Sequence, residues 1–201
     1  MLREECCIPL NWNVELCRAE IMHYLGLPRY DLDTDYYEGF CLEQNKGFVV
    51  AKSWTAEAVA GLPYIASQLQ ALGLLDQVGH CQIFVCRPRH IGLWHLDGVD
   101  RHASINFPLF NTEHGKVDWT VDDIECIKET SVYTTHSVPV DRGAFHRVEH
   151  SSVLTGVQLL KTDIWHRLDN ADNTLHRVVF SIRFKTNPLY ETLRPIFESQ
   201  V

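Results

Sequence analysis

Two short stretches of the chain carry residues that could bind one metal ion. His95 and Asp97 are two positions apart, and side chains at i and i+2 of an extended strand project from the same face. An imidazole nitrogen and a carboxylate oxygen could therefore meet at a single ion. His166 lies 71 positions further on (166 − 95), so it completes the set only if the fold brings two distant segments together. Three such ligands on one side of an ion leave the opposite positions open.

Other histidines compete with His166 for this role, namely His90, His102, His136, His146, His150 and His176. We favour His166 because it follows the apolar segment 157–161 and precedes the turn-forming segment 169–173, which places it near the start of the last pair of strands. His146 and His150 have the spacing that binds metal from one face of a helix. Their surroundings favour a strand and a turn, so this pair is a weaker metal site.

The segment 176–184 alternates apolar and polar residues with the period of a strand. One face carries Arg177, Val179, Ser181 and Arg183. If this face meets water, both arginines are simply solvated. If it lines the inside of a barrel, Arg177 could bind a carboxylate through two hydrogen bonds and Ser181 could add another. Because an unpaired buried arginine costs several kcal/mol, an inward Arg177 would imply an anionic ligand. The strand by itself leaves both arrangements open.

The elements that must position these residues begin with a helical region. Apolar spacing predicts a helix over 13–25 with Asn13 as its cap, and a second helix from Thr55 that Pro63 kinks or splits. The stretch 29–39, rich in Asp and Tyr, is expected to be a loop, and 48–51 a short strand. The segment from Pro188 onwards predicts a closing helix.

Short β-branched and aromatic runs follow Gly79, separated by turn-forming residues. The predicted strands are 81–87, 91–97, 103–110, 117–121, 130–135, 144–148, 156–161, 163–168 and 176–184. This pattern predicts a mostly β fold with flanking helices, a double-sheet jelly roll buttressed by N-terminal helices. We expect one domain over 1–201, with a helical part over about 1–78, a β-barrel core over about 80–185 and a C-terminal helix over about 188–199.

Composition excludes several classes of partner. The 201 residues carry a net charge of −8, from 26 acidic and 18 basic residues, and no Lys/Arg run supplies the positive surface that nucleic acid requires. An anionic membrane is an equally poor partner, and neither a secretory signal nor a spanning segment is recognisable. Seven cysteines without a paired framework favour reduced thiols. We therefore expect a cytoplasmic protein without a nucleic-acid or membrane partner, with its oligomeric state open.

The chemistry-bearing residues together resemble the motifs of Fe(II)/2-oxoglutarate-dependent oxygenases, which share a double-stranded β-helix, or cupin-like, barrel. In that family an H-x-D motif precedes a distal His and, about ten residues later, an Arg with a nearby Ser or Thr. The corresponding residues here are His95-Leu96-Asp97, His166, Arg177 (177 − 166 = 11) and Ser181. The resemblance covers roughly 92–184 and is nearest to small stand-alone hydroxylases.

This resemblance implies Fe(II) bound by His95, Asp97 and His166. Arg177 and Ser181 would hold the distal carboxylate of the cosubstrate 2-oxoglutarate, with Arg183 in reserve for the Arg role. Asn106 is expected to line the pocket near the metal, although a structural role suits it equally. Dioxygen would be the other cosubstrate, and succinate and CO2 would be released as a substrate is hydroxylated.

The substrate and even the activity are left open by the sequence. A small molecule such as an amino acid or natural-product intermediate is the leading expectation, with a peptide or protein as the alternative within the class. From other classes, the chain could be a non-catalytic cupin-like binding protein, or a cupin enzyme that depends on zinc or another metal and uses no oxo-acid cosubstrate. Candidates for contact with a substrate carboxylate are Arg89, Arg101, Arg142 and Arg147.

Overall fold

The computed structural model describes residues 6–31, 33–44, 46–97, 101–130, 135–186 and 188–199. Within these ranges the chain forms four α-helices: α1 (Val14–Leu25), α2 (Thr34–Gln44), α3 (Pro63–Ala71) and α4 (Tyr190–Glu198). Short 3₁₀ helices cover Ala56–Gly61 and Leu75–Gln77. The strands are β1 (Cys7–Pro9), β2 (Phe48–Thr55), β3 (Val78–Cys86), β4 (Ala103–Phe110), β5 (Lys116–Trp119), β6 (Cys126–Thr130), β7 (Thr135–Pro139), β8 (His150–Val153), β9 (Gln158–Lys161), β10 (His166–Asp169) and β11 (Arg177–Phe184).

These strands make three antiparallel sheets. The large sheet has the order β1-β9-β4-β11-β3-β2, the small sheet has the order β10-β5-β8, and β6 pairs with β7 as a separate hairpin. The mostly β class with flanking helices is therefore confirmed. The closed barrel stays a prediction, because these ladders form separate sheets over the described ranges.

The central strand β11 separates the apolar core from a pocket. Its Val178, Phe180 and Ile182 are fully buried in the main core, which the helices cover with buried residues such as Ile21, Tyr37, Ile65 and Phe197. Each such side chain contributes roughly 1.5–3 kcal/mol by leaving water. The opposite face of β11 looks into a pocket whose far wall comes from the small sheet, with Val117, Trp119, His166 and Leu168. The two sheets thus face each other across this pocket.

The helical region agrees only partly with expectation. Asn13 caps α1 as predicted, its side chain accepting the N–H of Leu16 at 3.1 Å, and Pro63 splits the second predicted helix by starting α3. Thr55 makes no capping hydrogen bond. The region is also not helical throughout, since β1 and β2 join the large sheet. The division into one domain stays a prediction.

The expected loop over 29–39 is wrong, because α2 begins at Thr34. Asp33 accepts the N–H of Tyr36 at 3.0 Å, as a helix cap does. Tyr37 and Cys41, four positions apart, are both fully buried and give α2 its apolar face. The Asp and Tyr residues that suggested a loop are therefore cap and core residues of a helix.

Two of the predicted strands are also wrong. Segment 91–97 forms only single bridges, from Ile91 to Asp169, from His95 to His166 and from Leu96 to Ser137, because it changes partner along its length. Segment 144–148 is not a strand, and β8 begins only at His150. The predicted strand over 130–135 spans the end of β6 and the start of β7, and 131–134 lie outside the described residues. Among those that are described, no helix has the length and apolar character needed to cross a bilayer.

Candidate metal centre

His95, Asp97 and His166 lie together at the edge of the small sheet. The N–H of His166 donates to the carbonyl of His95 at 3.0 Å, and the N–H of His95 donates back at 2.9 Å. This pairing sets the two imidazole rings side by side, with centroids 4.3 Å apart. The Nε2 atoms of both histidines are 3.8 Å from a carboxylate oxygen of Asp97. One potential ligand atom from each residue lies within 4.8 Å of the other two.

Backbone contacts orient both imidazoles towards the carboxylate. The Nδ1 atom of His95 is 3.0 Å from the carbonyl of Leu93, and that of His166 is 2.9 Å from the carbonyl of Ile164. A carbonyl can only accept, so Nδ1 carries the proton in each ring. The lone pair is then on Nε2, the atom that faces Asp97. A histidine metal ligand is commonly held in this way by its other ring nitrogen.

The electrostatics keep these groups in the protonation state that a metal requires. Burial, together with neighbouring His95, lowers the pKa of His166 to about 4. Burial also lowers the pKa of His95. For Asp97, burial raises the pKa, but Arg101 and the two histidines outweigh it and the net shift is downward. At neutral pH the site therefore offers two neutral imidazoles and one carboxylate, and no proton must leave before a cation binds.

Arg101 contacts Asp97 directly in a two-point ion pair. Its Nη2 is 2.8 Å from Oδ1 and its Nε is 2.8 Å from Oδ2. Only 8 % of Arg101 is exposed, and its guanidinium carbon lies 6.0 Å from the centroid of the Phe84 ring. Asp97 is thus held by a cation on one side and faces two imidazoles on the other.

Arg177 lines the same pocket further into the fold. It is 5 % exposed, and burial lowers the pKa of its guanidinium to about 10, so it remains charged at neutral pH. Within the described part of the chain, its buried Nε has no hydrogen-bond partner. Gly115 packs against this side chain: a Cβ at Gly115 would lie 2.6 Å from Cδ of Arg177 and 2.6 Å from Oδ1 of Asn170.

The other residues proposed to hold the cosubstrate occupy the same face of the large sheet. Asn106 lines the pocket and donates to Ser104 Oγ at 3.0 Å. Ser181 pairs with Asn106 across the sheet, and its buried Oγ has no hydrogen-bond partner among the residues described. Its Cα is four strand positions, roughly 13 Å, from that of Arg177. Arg183 is buried beyond Ser181 and acts electrostatically on Asp97. Arg177 and Arg183 therefore stand towards opposite ends of this face.

The competing histidines lie apart from this cluster or at its rim. His146 is paired with Asp122 at 3.5 Å, and His150 packs on Trp119, so the two share no metal site. His136, on β7, is nearest, with its ring centroid 6.4 Å from that of His95. Ser137 beside it exchanges both backbone hydrogen bonds with Leu96, the residue between the two ligands, at 2.9 and 3.0 Å. The β6–β7 hairpin is thereby anchored next to the cluster.

A second group that could hold a metal was not foreseen from the sequence: Glu38, Cys41 and His176. The Nδ1 atom of His176 is 3.1 Å from the hydroxyl of Tyr30 and its Nε2 is 2.6 Å from Glu38. Glu38 is also paired with Arg87 at 2.5 Å. Both ring nitrogens already have partners, so this group is a hydrogen-bonded network that ties α2 to the start of β11.

The four arginines considered for substrate binding differ in exposure. Arg89, Arg142 and Arg147 are exposed, whereas Arg101 is buried in the pocket. No sequence signal distinguished Arg101 from the other three, because its ion pair with Asp97 depends on the fold. The role of Gly115 was also missed, since its neighbours Arg177 and Asn170 are distant in sequence.

Comparison with known proteins found no matching family model and no matching curated protein. Similar solved structures include a prolyl-4-hydroxylase from Pseudomonas putida, at 13 % identity over 89 % of this chain and 90 % of that one, with a TM-score of 0.41. Another is the epimerase SnoN in complex with Fe3+, α-ketoglutarate and nogalamycin RO, at 9 % identity over 90 % and 79 %, with a TM-score of 0.45.

An oxalate oxidase in complex with the substrate analogue glycolate is also similar, at 14 % identity and a TM-score of 0.34. That alignment covers 71 % of this chain and 53 % of the oxidase, so the chain spans about half the length of that protein.

Proposed function

We propose that the protein is an Fe(II)- and 2-oxoglutarate-dependent oxygenase that hydroxylates a small molecule, with release of succinate and CO2. One observation carries the proposal. Two neutral imidazoles and a carboxylate converge at a pocket that also contains a buried arginine whose Nε has no hydrogen-bond partner among the described residues.

The residues fit the two groups that this activity requires. Two histidines and one carboxylate are the ligand set of non-haem Fe(II) oxygenases, and they leave coordination positions open. Arg177 is charged, buried and short of an acceptor, and a guanidinium is well suited to bind a carboxylate through two parallel hydrogen bonds. His95, Asp97 and His166 would hold the iron, and Arg177, aided by Asn106 or Ser181, would hold the cosubstrate.

When bound, iron and 2-oxoglutarate would supply the oxidising chemistry. The chain would position the reacting groups and keep bulk water away from them. Phe84, Trp119, Leu168 and Val179 line the pocket and would exclude bulk water from the reacting groups. The Nδ1 contacts of the two histidines keep their Nε2 atoms available without a proton transfer. Because residues from both sheets surround the pocket, a small molecule suits it better than an extended peptide.

The proposal is tested by adding Fe(II) and 2-oxoglutarate without oxygen and recording the weak visible absorption band of the complex. Admission of oxygen should then convert 2-oxoglutarate to succinate. Asp97→Ala and His166→Ala should abolish both signals. His150→Ala and His176→Ala, which remove histidines outside the cluster, should keep them. The ligand assignment would be rejected if His166→Ala kept both signals while either control variant lost them. A wild-type band without succinate would instead indicate a binding protein.

A further inference from the structure

Arg101 occupies the position from which it can control access to Asp97. Its Nη2 donates to Oδ1 of Asp97 at 2.8 Å, and its Nε lies 2.8 Å from Oδ2 in an ion pair. The same oxygens face the imidazoles of His95 and His166 at 3.8 Å. A cation that binds the three residues needs an oxygen lone pair of Asp97. It must therefore compete with the hydrogen bond or with the ion-pair contact that Arg101 makes to this carboxylate.

Arg101 would then lose part of its ion pair with Asp97. A buried guanidinium that gives up an anionic partner is costly unless another acceptor replaces it. Arg101 lies in the pocket wall beside Ser104 and Thr162 and above the ring of Phe84, so a freed N–H edge would face the space where a ligand binds. Carboxylates match the two-pronged donor geometry of arginine.

We propose that Arg101 is a metal-released carboxylate clamp: it holds Asp97 in the metal-free protein, and metal binding turns part of its guanidinium to a carboxylate in the pocket. This inference rests on the proposed function. The carboxylate has two sources, the cosubstrate 2-oxoglutarate or an acidic substrate beside it. In either case metal would bind before the organic acid.

The first test compares Mn2+ binding to the wild type and to Arg101→Gln by titration calorimetry at pH 8. Since the variant has no arginine to displace, it should bind Mn2+ about three- to tenfold more tightly. If Arg101 merely supported Asp97, its removal would weaken metal binding. Weaker Mn2+ binding by Arg101→Gln would therefore overturn the proposal.

The second test measures carboxylate binding to the Mn2+-loaded proteins. Arg101→Gln should bind one of two probes about tenfold more weakly or worse, which corresponds to a lost charge-assisted hydrogen bond. The first probe is 2-oxoglutarate, whose binding is measured by calorimetry. The second probe is acetate, which is added to the 2-oxoglutarate complex. Its binding is measured from the relaxation of its methyl protons by Mn2+. Weakened 2-oxoglutarate binding assigns the clamp to the cosubstrate, and weakened acetate binding alone assigns it to an acidic substrate. Affinities within twofold of wild type for both probes would overturn the proposal.

Arg167→Gln is the matched control, because Arg167 also pairs with a buried aspartate, Asp118 at 3.1 Å, but lies outside this pocket. It should leave both affinities unchanged, and circular dichroism should show that both variants fold. Should wild-type protein bind Mn2+ but not 2-oxoglutarate, the proposed function fails. The Mn2+ comparison and acetate binding to the Mn2+-loaded proteins without 2-oxoglutarate would still test Arg101.

Discussion

The surroundings of Arg177 indicate that the pocket binds an anionic ligand. It is a buried cation, and its Nε lacks a hydrogen-bond partner in the described parts of the chain, a state that folding tolerates when a bound anion repays the desolvation. Arg177→Leu should therefore raise the KM for 2-oxoglutarate at least tenfold and leave metal affinity unchanged. Succinate formation against 2-oxoglutarate concentration checks this, with Mn2+ calorimetry alongside.

Arg183→Leu is the counterpart experiment, because Arg183 shares the face of β11 with Arg177. If Arg177→Leu leaves the cosubstrate response unchanged while Arg183→Leu alters it, Arg183 binds the carboxylate instead.

His80 should make the folded state sensitive to acid. Burial lowers its pKa to about 4, and nearby Arg183 and Arg101 act in the same direction. Since an unfolded chain protonates His near 6.5, the unfolded state binds more protons between pH 6.5 and pH 4, and stability falls as the pH falls through that window. From pH 7 to pH 5 the wild type should lose about 1 kcal/mol more than His80→Gln, allowing for partial exposure.

Urea unfolding at the two pH values measures this difference. His23→Gln, at an exposed position of α1, is the control and should behave as the wild type does. Equal losses in the wild type and His80→Gln would contradict the expectation.

At the scale of secondary-structure elements, the turn between β4 and β5 determines the position of the Arg177 side chain. Because a Cβ at Gly115 would lie 2.6 Å from both Arg177 Cδ and Asn170 Oδ1, Gly115→Ala must displace both buried side chains or shift the turn itself. We expect a loss of about 1–3 kcal/mol in stability, as for other overpacked interiors, and a higher KM for 2-oxoglutarate with unchanged Mn2+ affinity. Thermal unfolding and cosubstrate kinetics measure the two effects.

Gly156→Ala provides the control for that substitution, since a Cβ there meets nothing within 4 Å. It should change neither stability nor KM appreciably. A wild-type KM in Gly115→Ala would show that Arg177 does not depend on the turn for its position.

The whole molecule should be stabilised by a metal ion, because the site joins β10 to the separate segment 91–97 through His95 and His166. A ligand that binds only the folded state at 100 times its Kd adds about 2.7 kcal/mol, which raises Tm by roughly 5–10 °C in a chain of this size. Differential scanning calorimetry with Mn2+ and with a chelator measures this rise. His166→Ala should show almost none, and an equal rise in that variant would place the ion elsewhere.

Helix α1, the split at Pro63 and strand β4 can be predicted from the sequence, because cap residues, proline and residue alternation act within a few positions. Segment 29–39 and segment 91–97 were mispredicted for the opposite reason. Tyr37 and Cys41 form a helical face only because a core is there to receive them. The bridges of 91–97 are spread over partners that lie far away along the chain.

The types of chemical group available can be recognised in the sequence: an H-x-D pair, a distal histidine, and a strand with arginines on one face. Three features depend on the tertiary structure. His95 and His166 pair through their backbones, the polar face of β11 turns inward, and Arg101 forms an ion pair with Asp97. The groups that can bind a ligand depend on residue types and on short distances between residues along the chain, and both can be read from the sequence. Distances of a few ångströms between residues 71 positions apart (166 − 95) are set by sheet packing and burial, which only the folded molecule possesses.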